Sequence, residues 1–329
     1  MVLCHDVVAN GVRLRKGQQL ERGDVPMLRA AEWTELHLIE LENGDVTEDE
    51  AGPRLAAAAA GDGVVVREPS AGHWPLVATR RGILDVSVGA LRDSNLLEGV
   101  CIYTLFAGRV VDSGERVAQA KIAPLVMPER TVGEVERIAR GSSGFVSVRP
   151  FEHRRIGVVA AESLAAGAAA RVGAALEEKV AWFGSTLLQP AFVPPNAGAL
   201  VAGMRVLIDK GAELLLVAGS KPMDPLDPCW LALTQFGVSV ERFGVPAHPG
   251  SLFWIAWHGT LPILGVPTCG LLTQASVVDL ILPRILAGDR IGRAELAELG
   301  HGGLLTRESS FRFPPYRGAD YARGEVNHV

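Results

Sequence analysis

The chain of 329 residues contains no long uninterrupted apolar segment. A membrane-spanning helix needs roughly 18 or more consecutive apolar residues, and the nearest candidate, Leu252 to Leu272, is interrupted by His258, Pro262 and several glycines. Residues Met1 to Lys16 carry charged and polar side chains and lack the apolar core of a signal peptide. The sequence therefore predicts a cytoplasmic protein with no membrane partner.

Clusters of positive charge and paired cysteines are also missing. The formal net charge is −5 and no run of Lys or Arg stands out, whereas nucleic-acid backbones are bound through clustered cations. The four cysteines are far apart and form no C-x-x-C pair, which argues against a zinc site or a disulfide framework. They are Cys4, Cys101, Cys229 and Cys269. We expect no nucleic-acid partner, and reduced, mostly buried thiols.

Several motifs that mark catalytic or cofactor sites are absent. The eight histidines include no H-x-x-H or H-x-x-x-H pair, which gives a histidine-based metal site little support. The chain has no G-x-S-x-G nucleophile elbow and no P-loop lysine motif. The loop after the strand predicted at Ile156–Ala160 is not a G-x-G-x-x-G fingerprint, so a dinucleotide cofactor is not indicated.

The pattern of apolar residues divides the chain into two halves, as its length also suggests. Residues 1–150 contain many short β segments separated by Gly, Asp, Asn and Ser, with helices predicted at Val25–Ala31, Thr47–Ala60 and Val132–Arg140. This pattern predicts a β-rich α+β region, which we interpret as a docking or dimerisation module. The break at Gly141–Gly144 places the domain boundary between there and Arg154.

From Arg155 onward, apolar strands alternate with helices. Continuous apolar strands are predicted at Ile156–Ala160, Glu213–Ala218 and Leu261–Val266. Strands of this kind, spaced by helices, indicate an α/β domain with a three-layer, mostly parallel sheet over residues 151–290, followed by a C-terminal tail at 291–329. Such domains bind ligands in the loops past the carboxyl ends of their strands.

The loop after the second of these strands has the most informative composition. Gly219 lets the backbone approach a ligand closely, Ser220 can donate a hydroxyl hydrogen bond, and Lys221 suits a phosphate. Asp224 and Asp227 precede a predicted helix, where a carboxylate either caps free N–H groups or helps to hold a magnesium ion. Both interpretations stay open for each aspartate.

Two other loops and a set of aromatic residues offer further candidates. The strand-to-helix loop with Gly265, Pro267, Thr268 and Gly270 is either an anion site at a helix start or an ordinary turn. His248 is either a ligand or a solvated or packed histidine. Three tryptophans either line the site of a flat, ring-shaped ligand or anchor the core. They are Trp230, Trp254 and Trp257.

The order of these segments resembles the molybdopterin molybdenumtransferase (MoeA) family. In that family a K-P-G-K-P segment leads to a strand, a G-L-P-G-N-P-x-S loop and a long helix. Here His248-Pro249-Gly250-Ser251 stands where K-P-G-K would be, and residues 265–270, G-V-P-T-C-G, stand where G-L-P-G-N-P would be. Ser276 matches the serine that follows.

Two further segments are similar to the same superfamily. Ala218 to Asp227 resembles the S-G-G-x-S-x-G-x-x-D of the MoeA family and the G-G-x-G-x-x-x-x-D of the related MogA-type adenylyltransferases. Residues 161–164, A-E-S-L, look like an altered T-G-D-E-L. The resemblance covers roughly Arg155 to Gly288, and it implies a domain that binds molybdopterin or its adenylated form, with magnesium as an accompanying ion.

Loop chemistry and resemblance together predict the site. Glu162 and Asp224 are the predicted catalytic residues, and Asp224 is also the predicted metal ligand. The predicted cofactor-binding residues are Gly219, Ser220, Lys221, Asp227, His248, Pro249, Gly250, Ser251, Gly265, Pro267, Thr268 and Gly270.

Three departures from the family pattern bear on catalysis. His248 and Ser251 replace both lysines of K-P-G-K, and only Glu162 remains of the T-G-D-E carboxylate pair. The family's Asp-Ser-Asn segment after the first strand is not seen. Losing two cations and one acid beside a phosphate and a metal should cost several kcal/mol of transition-state stabilisation. These changes affect catalysis more than binding.

The resemblance implies a role in molybdenum cofactor biosynthesis, as transferase-like molybdate insertion or as cofactor delivery to a molybdenum enzyme client, and a homo-oligomeric assembly. One alternative is a non-catalytic scaffold of the same fold that binds a protein partner in the cleft. Another is a different nucleotide- or phosphate-using α/β enzyme, which would bind ATP independently of molybdopterin.

Overall fold

A computed structural model describes residues 1–9, 11–30, 35–162, 166–219, 224–266 and 276–316. The chain folds into two compact units. The first comprises Met1–Ala107 and Val111–Arg149, and the second comprises Gly108–Val110 and Pro150–Val329. None of the described helices combines the length and the apolarity that a bilayer crossing demands.

Thirteen short strands lie in the described part of the first unit. They are β1 (Val2–Leu3), β2 (Val7–Ala9), β3 (Val12–Leu14), β4 (Leu38–Ile39), β5 (Asp45–Thr47), β6 (Val64–Val66), β7 (Trp74–Ala78), β8 (Gly82–Val86), β9 (Val100–Thr104), β10 (Val110–Val111), β11 (Arg116–Ile122), β12 (Val126–Pro128) and β13 (Val146–Pro150). Two of them, β10 and β13, each include one residue, Val110 and Pro150, that is grouped with the second unit. Its described helices are α1 (Val25–Ala30), α2 (Glu48–Ala59), α3 (Val88–Asn95) and α4 (Glu129–Ser142).

An antiparallel sheet in the order β6-β7-β11-β9 forms the centre of this unit. Smaller sheets have the orders β10-β8-β13 and β12-β5. Helix α2 begins at Thr47, whose backbone N–H and hydroxyl both donate to Glu50 Oε2, at 2.9 and 3.0 Å. Its apolar face, with Leu55 fully buried, packs in one core with Trp74 and Leu76 of β7. Short strands are present throughout this region, as its β-rich pattern predicted, and α2 and α4 coincide with the helices predicted at Thr47–Ala60 and Val132–Arg140, whereas α3 was not predicted.

The second unit contains the predicted α/β sheet. Its described strands are β14 (Arg155–Ala160), β15 (Thr186–Leu187), β16 (Ala191–Phe192), β17 (Leu214–Ala218), β18 (Val240–Phe243), β19 (Trp254–His258) and β20 (Leu261–Val266). The described helices are α5 (Ala166–Trp182), α6 (Ala197–Asp209), α7 (Pro228–Gln235), α8 (Val277–Leu286) and α9 (Arg293–Glu298). A short 3-10 helix follows at Arg307–Arg312.

The sheet has the order β15-β14-β17-β20-β19-β18, and β16 also pairs with β14. Strands β14, β17 and β20 are parallel to one another, whereas β19 is antiparallel to both of its neighbours. The predicted α/β class with a mostly parallel sheet is therefore confirmed. The antiparallel β19 and its partner β18 were not predicted.

Alternation along the central strands creates a core on each face of the sheet. On β17, Leu214 and Leu216 face one core with α5 and α8, whereas Leu215 and Val217 face another with α6 and α7. All four are almost completely buried, and burying an aliphatic side chain of this size contributes about 2 kcal/mol. Burial on both faces explains why these strands are continuously apolar. The segment after Asp289 belongs to the first of these cores through Ile291, Leu296, Leu305 and Tyr316.

Candidate functional site

The three central parallel strands end side by side. Ala160 pairs with Ala218, and Ala218 pairs with Val266, so the loops that follow β14, β17 and β20 begin at one level. We call this end of the sheet the carboxyl edge. Strand β19 starts there as well, because Trp254 is the partner of Gly265. The loop at 244–253 between β18 and β19 therefore lies at the carboxyl edge with the other loops.

The loops after β14 and β17 touch each other directly. The N–H of Ala161 donates to the carbonyl of Ala218 at 3.0 Å. Gly219 has a φ of +86°, and a Cβ added to it would lie 3.2 Å from the Ala161 carbonyl oxygen. The glycine is therefore required by the backbone turn and by the neighbouring loop. Glu162 is half-buried and directly follows Ala161 in the first loop, so it lies at the same edge as Gly219.

The two aspartates of the second loop have different environments. Asp224 is exposed, and its Oδ1 accepts the N–H of Leu226 at 2.9 Å. Asp227 is 4% exposed, and its Oδ1 accepts the N–H of Cys229 at 2.8 Å as the N-cap of α7. Asp227 therefore acts as a helix cap, one of the two roles that the sequence left open. The Asp224 side chain is accessible to a ligand. The predicted residues Ser220 and Lys221 lie outside the described residues.

The His248–Ser251 loop is held by the C-terminal segment and by α8. His248 donates its N–H to Gly303 O and accepts from the N–H of Leu305, both at 2.8 Å, while its side chain is exposed. The His248–Pro249 peptide is cis. Pro249 O accepts the N–H of Val277 at 3.2 Å. This loop is anchored through its backbone, so the side chains of His248 and Ser251 remain exposed at the carboxyl edge.

Gly265 was predicted where the strand Leu261–Val266 meets the loop that follows it, and the structure bears out the strand. It is a buried residue within β20, which continues to Val266. A Cβ on Gly265 would lie 1.7 Å from the Trp254 ring, so Trp254 requires the glycine and covers that face of the strand. The remaining predicted residues of this loop, Pro267, Thr268 and Gly270, lie outside the described residues.

The three tryptophans do not form one flat platform. Trp254 is fully buried, and Trp230 packs against it with ring centroids 5.5 Å apart. Trp257 lies further along β19, where its ring contacts Arg290 at 4.4 Å and its Nε1 donates to Ile291 O. These contacts favour the core-anchor interpretation for Trp254 and Trp257.

Two charged residues beside the site were missed from the sequence. Lys179 Nζ on α5 lies 2.7 Å from Asp279 Oδ1 on α8, and the Asp279 side chain is fully buried. The sequence pattern at both positions could have revealed the pair. Lys179 falls on the apolar stripe of Leu176, Val180 and Phe183, and Asp279 interrupts an apolar run. Opposite charges on two buried helix faces favour pairing, since a buried charge needs a partner.

The described residues provide no cluster of metal ligands. Within the described ranges, no group of three or more His, Cys, Asp or Glu side chains could hold a metal ion. Asp224 therefore has no described partner ligands for magnesium. Elsewhere in this unit, at the amino end of β14, Glu213 accepts the N–H of Arg155 at 2.9 Å, which lowers the pKa of its carboxyl. The described part of the carboxyl edge offers exposed polar side chains, Asp224, His248 and Ser251.

Comparisons with known proteins give remote likenesses only. No protein-family model matches the chain, and no curated protein matches it. Among solved structures, a molybdopterin biosynthesis MoeA protein from Pyrococcus horikosii is 11% identical, over 74% of this chain and 76% of its own, with a TM-score of 0.27. A proposed molybdenum cofactor biosynthesis protein from Corynebacterium diphtheriae is 13% identical, over 46% and 99%, with a TM-score of 0.26.

A deletion mutant of NadC is another match, 11% identical over 50% of this chain and 69% of its own, with a TM-score of 0.18. Likenesses at these TM-scores do not assign the chain to a family. The function of the chain is therefore inferred from its own residues.

Proposed function

We propose that the second unit binds a phosphate-bearing pterin, molybdopterin or adenylated molybdopterin, at the carboxyl edge, and that the chain serves molybdenum cofactor biosynthesis. The supporting observation is that three segments far apart in sequence lie at the same edge of the sheet. Residues 161–162, 218–219 and 248–251, each part of a segment resembling the MoeA family, lie in loops that begin at one end of one sheet. Open α/β sheets bind ligands at this end.

The described side chains suit recognition of the pterin better than chemistry on it. The carboxylates of Glu162 and Asp224 can accept hydrogen bonds from the N–H groups of an aminopyrimidinone ring. His248 and Ser251 can donate to phosphate oxygens. The segment His248–Ser251 lacks the two lysines of the corresponding family segment. We therefore favour cofactor delivery over molybdate insertion.

Isothermal titration with molybdopterin and with adenylated molybdopterin, with and without magnesium, tests this function. We expect a Kd in the micromolar range or tighter, about −8 kcal/mol. Asp224→Asn should weaken binding and leave stability unchanged, because an Asn oxygen can still accept from the N–H of Leu226. Asp209→Asn is the matched control, since it removes an exposed carboxylate at the end of α6.

The same experiment separates the alternatives. A scaffold that uses the cleft for a protein partner would bind neither pterin, and Asp224→Asn would change nothing. ATP binding without any pterin binding would instead favour a different nucleotide-using enzyme. Either result would overturn the proposed function.

A further inference from the structure

A buried ion pair joins the last turn of α5 to the first turn of α8. Lys179 Nζ and Asp279 Oδ1 are 2.7 Å apart, with side-chain exposures of 11% and 0%. The ammonium also lies 4.9 Å from the centroid of the Tyr316 ring. Removing two charges from water is costly, and well-packed apolar side chains often stabilise a fold equally well. Stability alone therefore does not explain why this position holds an ion pair. A second role is indicated by the other carboxylate oxygen of Asp279, which binds the backbone of α8.

Asp279 connects the ion pair to the beginning of α8. Its Oδ2 accepts the backbone N–H of Ser276 at 2.9 Å while Oδ1 accepts from Lys179. The two oxygens of one carboxylate are thus held in different directions, which fixes the plane of the carboxylate. Ser276, only 3% exposed, is the N-cap residue of α8. The orientation of the ion pair therefore sets the position of the first turn of this helix.

The first turn of α8 in turn supports the His248–Ser251 loop. Val277 donates its N–H to Pro249 O at 3.2 Å. Gly250 lies so close that an added Cβ would be 2.9 Å from Cβ of Val277, and its φ is +112°. A movement of Val277 by a few tenths of an ångström would therefore be transmitted to Pro249 and Gly250, because close-packed atoms transmit strain.

We propose that Lys179 is a positioning residue of the candidate site, which acts through Asp279 and the start of α8 to hold the His248–Ser251 loop in its binding geometry. The identity of the ligand in this inference rests on the proposed function. The coupling between Lys179 and the loop does not, because it can be measured without ligand. The described contacts of the Lys179 ammonium are with Asp279 and Tyr316, and neither is a predicted ligand-binding residue.

Amide hydrogen exchange of the ligand-free full chain tests the coupling. Lys179→Met keeps the length of the side chain and removes its charge. We expect faster exchange at Ser276 and Val277 and in the peptide that covers 247–252. The matched control is Arg284→Met, which removes an ion pair to Asp289 (3.1 Å) at the other end of the same helix. That variant should leave exchange in both segments unchanged.

A double variant, Lys179→Met with Asp279→Leu, separates positioning from stability. It removes both buried charges, so thermal stability should recover relative to Lys179→Met. The N–H of Ser276 loses its acceptor in this variant whatever the role of Lys179, so exchange in the 247–252 peptide decides the question. A positioning role predicts that exchange in this peptide stays fast, whereas a merely structural pair predicts that it recovers together with stability. That result, or unchanged loop exchange in Lys179→Met, would overturn the proposal.

Titration with molybdopterin completes the experiment. We expect both Lys179→Met and the double variant to bind about tenfold more weakly than the unaltered chain, a coupling of ordinary size for residues that act through others. Arg284→Met should bind normally. If the unaltered chain binds no molybdopterin, the proposed function fails, and the exchange result alone decides whether Lys179 positions the loop.

Discussion

The indole ring of Trp254 occupies the space in which any residue other than glycine at position 265 would place its side chain. A Cβ on Gly265 would lie 1.7 Å from Cε2 and 2.0 Å from Nε1 of Trp254. Trp254 is fully buried in the core that contains α6 and α7. Packing between adjacent strands therefore requires this glycine, independently of any ligand.

Gly265→Ala should accordingly destabilise the second unit by about 3 kcal/mol, the upper part of the usual range for overpacking a core. Chemical denaturation followed by tryptophan fluorescence measures the loss. Adding Trp254→Phe makes room for the new methyl group, so the double variant should lose less stability than the sum of the two single changes. Additive losses would show that Trp254 does not account for the glycine.

Gly52 presents the same relationship inside a helix. A Cβ there would lie 2.2 Å from two ring carbons of Trp74, although glycine in a helix interior is normally unfavourable. Gly52→Ala should therefore lower the free energy of unfolding by about 2 kcal/mol. Gly133→Ala in α4 is the control, since nothing lies within 4 Å of its added Cβ. It should stabilise by up to about 1 kcal/mol. Equal effects of the two changes would contradict the packing explanation.

Two glutamates in the first turn of α2 should have opposite pH dependences. Burial raises the pKa of Glu48, against the nearby charges of Lys16 and Lys121. Hydrogen bonds from the backbone and side chain of Thr47 lower the pKa of Glu50. Glu48 therefore contributes stability at low pH that is lost as the pH rises through its folded pKa. Glu50 contributes stability at neutral pH that is lost as the pH falls through its folded pKa.

Glu48→Gln should consequently gain stability relative to the unaltered chain as the pH rises from 3 to 7. Glu50→Gln should lose stability over the same interval, while its side-chain oxygen can still accept from Thr47. Urea denaturation at several pH values gives both differences. Parallel curves for the two variants would show that the assigned environments are wrong.

Arg54 joins two helices of the first unit. Its Nη1 and Nη2 donate to the two oxygens of Glu129 at 2.7 and 2.8 Å, and its Nε donates to Glu136 at 2.8 Å. These hydrogen bonds raise the pKa of the guanidinium. Arg54→Met should cost about 1 kcal/mol, the upper end for a partly exposed pair, and the cost should shrink in high salt.

Arg137→Met is the control for this change, because Arg137 pairs bidentately with Glu134 on the same helix. Among the described residues its side chain pairs with no second helix or strand, so we expect a smaller change. Thermal melts in low and high salt give the comparison. A salt-independent loss for Arg54→Met would mean that its methylene groups, not its charge, stabilise the unit.

The sequence was most informative where its apolar pattern was continuous. Strands β14, β17 and β20 have almost the predicted bounds, because strands buried on both faces have apolar side chains at nearly every position. Strand β18 is half-buried and carries Glu241 and Arg242, so its pattern did not stand out. Strands β15 and β16 are only two residues long each and pair with different parts of β14, so neither forms a continuous apolar pattern.

The alternation of apolar strands and helices predicted that the loops after β14 and β17 would share one edge of the sheet, and Glu162 and Gly219 do lie there. Whether a ligand binds at this edge stays a prediction, and the roles of the residues were harder to predict. The sequence could not show that Gly265 accommodates Trp254, since that contact depends on the antiparallel pairing of β19 with β20. It likewise left Asp227 open between two roles, because a cap and a ligand use the same carboxylate.

The antiparallel direction of β19 has a consequence for folding. Strands β18, β19 and β20 follow one another within residues 240–266 and pair as consecutive hairpins, whereas β14 must find β17 across more than fifty residues of intervening chain. Short sequence separation favours rapid pairing. We therefore expect the meander that carries His248 and Gly265 to form before β14 adds Glu162. Glu162 would then be the last of these three residues to reach the carboxyl edge during folding.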